Sequence, residues 1–189
     1  MKALFLIVFL AVLTLFVVSL SSQEIPDYDR DNWMPSGWED ADGDGMDARH
    51  EVLRDESTIG VATNRNASMV LSGAWRDVYT GLIYTDPSDL DIDHVVALSW
   101  AHERGGFAWD EDRRRAFAND ITDADHLVAV AASVNRSKGA RGPADWRPPS
   151  RDAWCWYGAT VVRISFRWHL TLTAADRSGL QDLLATCEP

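Results

Sequence analysis

A long uncharged and mainly apolar stretch near the N-terminus constrains most strongly what this chain can fold into. Lys2 is followed by residues 3–18 without a charge, and the small residues Ser21 and Ser22 come shortly afterwards. One charge, an apolar core and a small-residue exit are typical of a secretory signal peptide. We therefore expect residues 1–22 to be removed on export and the folded part to work outside the cytoplasm.

The alternative is that residues 3–20 stay in place as a membrane anchor, because the apolar run approaches the ~20 residues needed to span a bilayer. No cluster of basic residues follows the run to stop its transfer, so the sequence favours cleavage. A secreted or extracellular protein is the expectation, and membrane attachment is the alternative.

The mature chain would comprise 167 residues, 23–189, which is a usual size for a single domain. It contains two cysteines, Cys155 and Cys187. In an oxidising compartment two such cysteines most simply pair with each other, and two buried free thiols are the alternative. We therefore predict one domain with one disulfide bond.

The net charge of −11 argues at first against a nucleic-acid partner, because Lys and Arg drive phosphate binding. The charge is unevenly distributed, however: residues 23–93 carry 17 acidic and 5 basic side chains, whereas residues 133–168 carry seven basic and two acidic ones. The second segment predicts a local phosphate-binding surface, although a solvated arginine-rich face would give the same pattern. Its basic residues are Arg136, Lys138, Arg141, Arg147, Arg151, Arg163 and Arg167.

Periodicity and turn residues predict a mixed α+β domain. Short apolar runs bounded by turn residues indicate strands over 69–75, 90–98 and 127–132. Helical patterns cover 46–55, 111–118, 150–168 and 173–186. Thr173 is expected to cap the last helix, with Asp176 completing a shortened capping box.

The sequence Asp91-Ile92-Asp93-His94 combines a hard metal ligand with a base. Alternate side chains of a strand share one face, so Asp91 and Asp93 are expected on one side and His94 on the other. A carboxylate binds divalent metal ions, and an imidazole can take a proton from water. A structural salt bridge would leave the same letters, so this pair alone does not decide the function.

Other motifs along the chain join this pair. Together they resemble the HNH, or ββα-metal, endonuclease superfamily, and within it the secreted bacterial HNH family related to the C-terminal domain of GmrSD-type restriction enzymes. The likeness covers nearly all of residues 23–189. The stretches that carry it are Asp27-Tyr28-Asp29-Arg30, Asp47-Ala48-Arg49, Ser72-Gly73-Ala74-Trp75, Asp91 to Leu98, Phe117-Ala118-Asn119-Asp120, Leu127-Val128-Ala129-Val130, Asn135-Arg136-Ser137-Lys138-Gly139 and Pro143 to Pro148.

The resemblance implies a ββα-metal motif embedded in a small mixed domain with C-terminal helices. Its first strand would end at His94, and after a helical insert a second strand over 127–132 would lead to a helix beginning near Asn135. Asp93 matches the family's first metal ligand and Asn135 its last one, while His94 matches the general base. Lys138 matches a basic residue near the scissile phosphate.

Two further assignments complete the expected site. His126 stands where the family's middle asparagine, which orients the catalytic loop, would be expected; its imidazole would donate a hydrogen bond to a backbone carbonyl or add a metal ligand. Phosphate binding is assigned to Arg136, Arg141 and Arg49. Oxygen ligands such as those of Asp93 suit Mg²⁺, which is the expected cofactor, with Mn²⁺ or Zn²⁺ as alternatives.

A second motif also predicts a metal ion. Asp40, Asp42 and Asp44, followed by Gly45 and then Glu51, match the spacing of an EF-hand calcium loop. Pro35 and Gly37 interrupt any entering helix, so this would be a single loop without a partner hand. A structural Ca²⁺ is one interpretation, and an exposed acidic turn is the other.

The sequence as a whole therefore predicts a secreted, metal-dependent endonuclease without evident sequence specificity. The expected substrate is DNA, with RNA as an alternative, and the sequence leaves the oligomeric state open. The alternative function is a secreted calcium-binding interaction module in which the HNH remnant is inactive.

Overall fold

The computed structural model describes residues 24–187, so the predicted signal peptide or anchor lies outside the described residues. The described part is a mixed α+β domain, as the sequence predicts, with six helices and three antiparallel two-stranded sheets. Between residues 24 and 187 no helix is long and apolar enough to cross a bilayer. The helices are α1 (Ala48–Glu56), α2 (Leu98–Glu103), α3 (Glu111–Ala118), α4 (Ala132–Lys138), α5 (Trp154–Trp168) and α6 (Ala174–Leu184). The strands are β1 (Ala62–Thr63), β2 (Val70–Ser72), β3 (Trp75–Arg76), β4 (Ile83–Tyr84), β5 (Leu90–His94) and β6 (Leu127–Ala131).

The central sheet is formed by β5 and β6, which pair antiparallel with His94 opposite Leu127. All five residues of β6 are buried, because the sheet separates two apolar clusters. Val128 and Val130 belong to the larger cluster, whereas Leu127 and Ala129 belong to the smaller one. Because successive side chains of a strand point to opposite faces, β6 contributes to both apolar clusters.

Helices α2 and α3 separate the two central strands, and α4 follows β6 without a loop. The helix predicted to begin near Asn135 begins earlier, at Ala132, so Asn135 lies in its middle. Asparagine is a common N-cap, but alanine has the highest helix propensity, and α4 begins after Ala131 without a side-chain cap. The strand predicted over 90–98 also ends earlier, at His94, and Leu98 already starts α2.

The strand predicted over 69–75 is divided into β2 and β3 by Gly73. A Cβ atom at Gly73 would lie 2.7 Å from the ring of Trp75, which is closer than packed atoms approach. The indole N–H of Trp75 donates to the carbonyl of Leu53 at 2.7 Å. The close approach of this buried ring therefore breaks the strand and ties it to α1.

The outer edge of β6 is covered by two carboxylates. Glu56 accepts a hydrogen bond from the N–H of Ala129 at 2.8 Å, and Asp77 accepts one from the N–H of Ala131 at 3.3 Å. Buried strand N–H groups need such partners. The two carboxylates therefore allow a two-stranded sheet to lie inside the domain.

The C-terminal helices α5 and α6 are joined by the predicted disulfide between Cys155 and Cys187, whose Cα atoms lie 4.9 Å apart. The predicted capping box is also confirmed. The hydroxyl of Thr173 accepts from the N–H of Asp176, and the carboxylate of Asp176 accepts from the N–H of Thr173. These contacts fix the last helix at both ends.

Candidate active site

The end of β5 and one face of α4 border a cleft of ≈ 340 Å³. Asp93, His94, Asn135 and Arg136, which the sequence assigns to the site, all line this cleft. The antiparallel pairing of β5 with β6, and the direct passage from β6 into α4, bring together residues about forty positions apart.

His94 is held in one tautomer. Its Nε2 atom lies 2.8 Å from the carbonyl oxygen of Ala118, and a carbonyl only accepts hydrogen bonds, so Nε2 carries the proton. Burial lowers the pKa of His94 well below its ordinary value, which keeps the ring neutral near pH 7. Nδ1, which takes part in no hydrogen bond within residues 24–187, is left as the nitrogen that can accept a proton.

Asp93 is almost completely buried and has two strong donors. Its Oδ2 accepts from the phenol of Tyr79 at 2.7 Å, and its Oδ1 accepts from the ammonium of Lys138 at 2.9 Å. Burial raises the pKa of Asp93, and the nearby Lys138 charge acts in the opposite direction. Each carboxylate oxygen has two lone pairs, so both oxygens keep one for a further partner.

Lys138 is fully buried, which sequence reasoning did not anticipate. Besides Asp93, its ammonium donates to the backbone carbonyl of His94 at 2.7 Å. The side chain therefore lies beneath the cleft and is not among the residues that line it. It holds the end of β5, and this location differs from the expected position beside the scissile phosphate.

Asn135 is oriented by a hydrogen bond from its Nδ2 to the carboxylate of Asp91 at 3.2 Å. Because the amide nitrogen is used in this way, the amide oxygen is the atom left for the cleft that Asn135 lines. The cleft can thus offer a carboxylate oxygen from Asp93 and an amide oxygen from Asn135, which are ligands suited to Mg²⁺ or Mn²⁺.

His126 makes no hydrogen bond of good geometry in the described part of the chain, although the backbone carbonyl of Phe117 is near enough to raise the pKa of its ring. It is 1% exposed, and neither ring nitrogen has a hydrogen-bond partner within the described part of the chain. Its ring packs edge-on against Phe117, with centroids 4.6 Å apart. Burial lowers the pKa of His126 to about 4, so the neutral ring acts as a core side chain. It does not line the cleft.

Asn119 holds the segment beside the ring of His94 through two hydrogen bonds to the backbone. Its Oδ1 accepts from the N–H of Glu39 at 3.0 Å, and its Nδ2 donates to the carbonyl of Arg115 at 3.1 Å. Asn119 directly follows Ala118, whose carbonyl holds His94. The sequence signal for Asn119 is its place in the Phe117-Ala118-Asn119-Asp120 stretch.

The arginines assigned to phosphate binding have different surroundings. Arg136 lines the cleft. Arg141 donates to the carbonyl of Lys138 at 3.1 Å, at the end of α4. Arg49 donates to the carbonyls that flank the start of β5, those of Pro87 and Leu90, so it fixes the strand and does not line the cleft.

Two cleft residues were missed as site residues by the sequence analysis. Tyr28 and Arg30 line the cleft, and the guanidinium of Arg30 donates to the sulfur of Met34 at 3.3 Å. The signal available was their place in the Asp27-Tyr28-Asp29-Arg30 stretch. No spacing rule connects that stretch with β5, so its location could not be inferred.

The residues of the acidic loop do not line this cleft. Asp40, Asp42 and Asp44 are exposed, and one carboxylate oxygen from each lies within 4.8 Å of the others. Their carboxylates accept from nearby backbone N–H groups of the same loop. Glu51 is buried on α1, with the guanidinium of Arg54 at 3.5 Å. Exposed acidic clusters of this kind are common without an ion.

Comparison with known proteins gives one relative. Over 139 residues the chain is 38% identical to an "Uncharacterized secreted protein" of Arthroderma benhamiae, and the match covers 74% of this chain and 67% of that protein. No protein-family model matches the chain, and no solved structure matches it. The extent and identity of the match are sufficient to assign the two proteins to one family.

Proposed function

The chain belongs to the same family as the secreted Arthroderma benhamiae protein, and we propose that it is a secreted, metal-dependent endonuclease of the HNH type. The observation that carries the proposal is the state of His94 within the cleft. Its Nε2 proton is committed to the carbonyl of Ala118, which leaves Nδ1 as the base, and His94 lines the same cleft as Asp93. The relative is described as secreted, and this description and the apolar stretch at residues 3–18 support secretion.

The residues present fit a divalent cation. Asp93 and the amide oxygen of Asn135 would hold it, because both offer hard oxygen atoms and both line the cleft. A bound Mg²⁺ ion supplies charge neutralisation for a phosphodiester during hydrolysis. Lys138 and Tyr79 hold the carboxylate of Asp93 in one orientation, so little reorganisation of this ligand is needed.

The chemistry assigned to the chain's own residues is hydrolysis. Nδ1 of His94 takes a proton from a water molecule, whose oxygen attacks phosphorus while the bond to the leaving oxygen breaks. Arg136 supplies positive charge at the cleft that suits a phosphate backbone. The substrate is a nucleic acid, with DNA the expected one. The cleft residues named here include no array for reading base edges, in keeping with weak sequence preference.

The decisive experiment uses the mature protein with plasmid DNA and with RNA. Reactions contain Mg²⁺, Mn²⁺ or Ca²⁺, and matched reactions contain EDTA. We expect cleavage products with Mg²⁺ or Mn²⁺ and none with EDTA. Intact plasmid and intact RNA under every ionic condition would contradict the proposal.

A second candidate function is calcium binding at the acidic loop, with an inactive cleft. It is favoured by the three clustered carboxylates and by Glu51, which is buried at the twelfth loop position. Calorimetric titration of Ca²⁺ into the wild type and Asp42→Asn tests it. Stoichiometric binding that the substitution weakens, together with absent nuclease activity, would favour this candidate. Equal heats for the two proteins would reject it.

A further inference from the structure

We infer that Trp38 is a positioning residue for His94. The indole of Trp38 stacks on the imidazole with ring centroids 5.3 Å apart and an angle of 12° between the ring planes. The inference rests on the proposed function, since it assumes that His94 is the base. Neither the expected ligands nor the expected phosphate-binding residues include Trp38.

The stacking supplies a constraint that the other contacts of His94 lack. The hydrogen bond from Nε2 to the carbonyl of Ala118 fixes one atom of the ring but leaves rotation about that contact. His126 meets His94 edge-on at a centroid distance of 6.4 Å, which does not define a ring plane. The indole of Trp38, which is nearly parallel to the imidazole, does define the plane of the His94 ring and thereby the direction of Nδ1.

Trp38 is itself held firmly, although it lies outside the regular elements. The next residue, Glu39, donates its N–H to Asn119 and accepts at its carbonyl from the N–H of Ala48 at 2.9 Å. The carboxylate of Glu39 also pairs with Arg115 at 2.8 Å. A half-buried indole on such a segment has a defined position.

The hydrogen bond from the N–H of Glu39 to Asn119 links the two segments that contact the ring of His94. Asn119 follows Ala118, which bonds Nε2 of His94, and Glu39 follows Trp38, which covers the ring face. The bond between Asn119 and the N–H of Glu39 therefore closes a ring of contacts around His94. Trp38 also packs against the apolar clusters, so its test must separate positioning from simple packing.

The kinetic test compares Trp38→Leu, Trp38→Phe and the control Trp109→Leu. Trp109 is likewise half-buried and packed on the core, but its aromatic contacts are with Trp33, Phe117 and Trp168 and not with His94. We expect Trp38→Leu to lower kcat about 10²-fold with KM unchanged, because small misplacements of a reacting group cost that much. Trp38→Phe, which keeps a stacking ring, should recover most of kcat. The control should keep the wild-type kcat.

A spectroscopic readout separates failure of the inference from failure of the proposed function. Nitrogen-15 NMR of the His94 ring should show one Nε2-protonated tautomer in the wild type and in Trp38→Phe. In Trp38→Leu the ring is free to rotate away from the carbonyl of Ala118, so a mixture of tautomers is expected. This result is independent of catalysis. If the wild type cleaves nucleic acid but folded Trp38→Leu keeps its kcat and its single tautomer, the inference is wrong. A folded Trp38→Phe that loses as much kcat as Trp38→Leu would also overturn it.

Discussion

Two acidic regions of this protein match metal-ligand spacings, and their surroundings differ. At the end of β5, Asp93 is buried and receives hydrogen bonds from a phenol and an ammonium group. In the acidic loop, Asp40, Asp42 and Asp44 are exposed and accept mainly from their own backbone. The loop matches its sequence motif more completely, yet the cleft brings together more kinds of reactive group. Sequence spacing alone therefore favours the loop as the metal site, whereas the packing of the side chains favours the cleft.

We expect the largest loss of stability when the buried ion pair between Lys138 and Asp93 is broken. Lys138→Met leaves the carboxylate of Asp93 without its cation in a buried site, so we expect a loss of about 3–5 kcal/mol in the free energy of unfolding. Asp44→Asn is the control, because it removes an exposed carboxylate that lies 3.5 Å from Arg54 and should cost less than about 1 kcal/mol. Urea denaturation measures both. Similar losses for the two variants would remove the distinction between the regions.

Glu56 sharpens the comparison, because it is a largely buried carboxylate whose bonded partner is the N–H of Ala129 and not a cation. Burial raises the pKa of Glu56 to about 7. Between the unfolded pKa near 4.5 and the folded value near 7, the unfolded chain binds fewer protons than the folded one. Stability should therefore fall as pH rises through this window.

Glu56→Gln keeps an oxygen for the N–H of Ala129 but cannot ionise. We expect it to remove this pH-dependent loss, raising stability at pH 8 by up to about 3 kcal/mol with little change at pH 4.5. Denaturation at a series of pH values provides the measurement, and the exposed Glu103→Gln serves as the control. Parallel stability curves for Glu56→Gln and wild type would show that Glu56 does not titrate in this window.

The smallest effect is expected in the acidic loop. Asp44→Asn keeps an oxygen that can accept from the N–H of Met46 and loses an exposed ion pair at 3.5 Å. In metal-free buffer it should change stability by less than about 1 kcal/mol. Thermal unfolding with EDTA measures this change. A loss of several kcal/mol would mean that the loop is as tightly integrated as the cleft.

Much of the fold was predictable because local patterns specify it. The apolar run of β6, the capping box at Thr173 and the pairing of Cys155 with Cys187 each rest on short-range chemistry or on compartment. The early start of α4 at Ala132 was missed, because the start near Asn135 was implied by the family resemblance, whereas the helix follows the strand directly from Ala132.

The candidate site was predictable only in part. Asp93, His94 and Asn135 come from recognisable motifs and do line one cleft. The partners that orient these residues do not come from recognisable motifs. Tyr79 donates a hydrogen bond to Asp93 from 14 positions away, and Trp38 stacks on His94 from a segment without regular structure. Such contacts depend on how distant segments pack, and no periodicity in the sequence encodes them.

The role of His94 as the base is the central claim, and the rate of plasmid cleavage by His94→Ala tests this role most directly. With Mg²⁺ present, we expect a fall of ~10²–10⁴-fold, the usual contribution of a positioned general base, with an unchanged circular dichroism spectrum. His169→Asn is the control, because His169 is exposed and has a positive φ of 57° that asparagine tolerates. That variant should cleave like the wild type. A folded His94→Ala protein that cleaves at the wild-type rate would contradict the account.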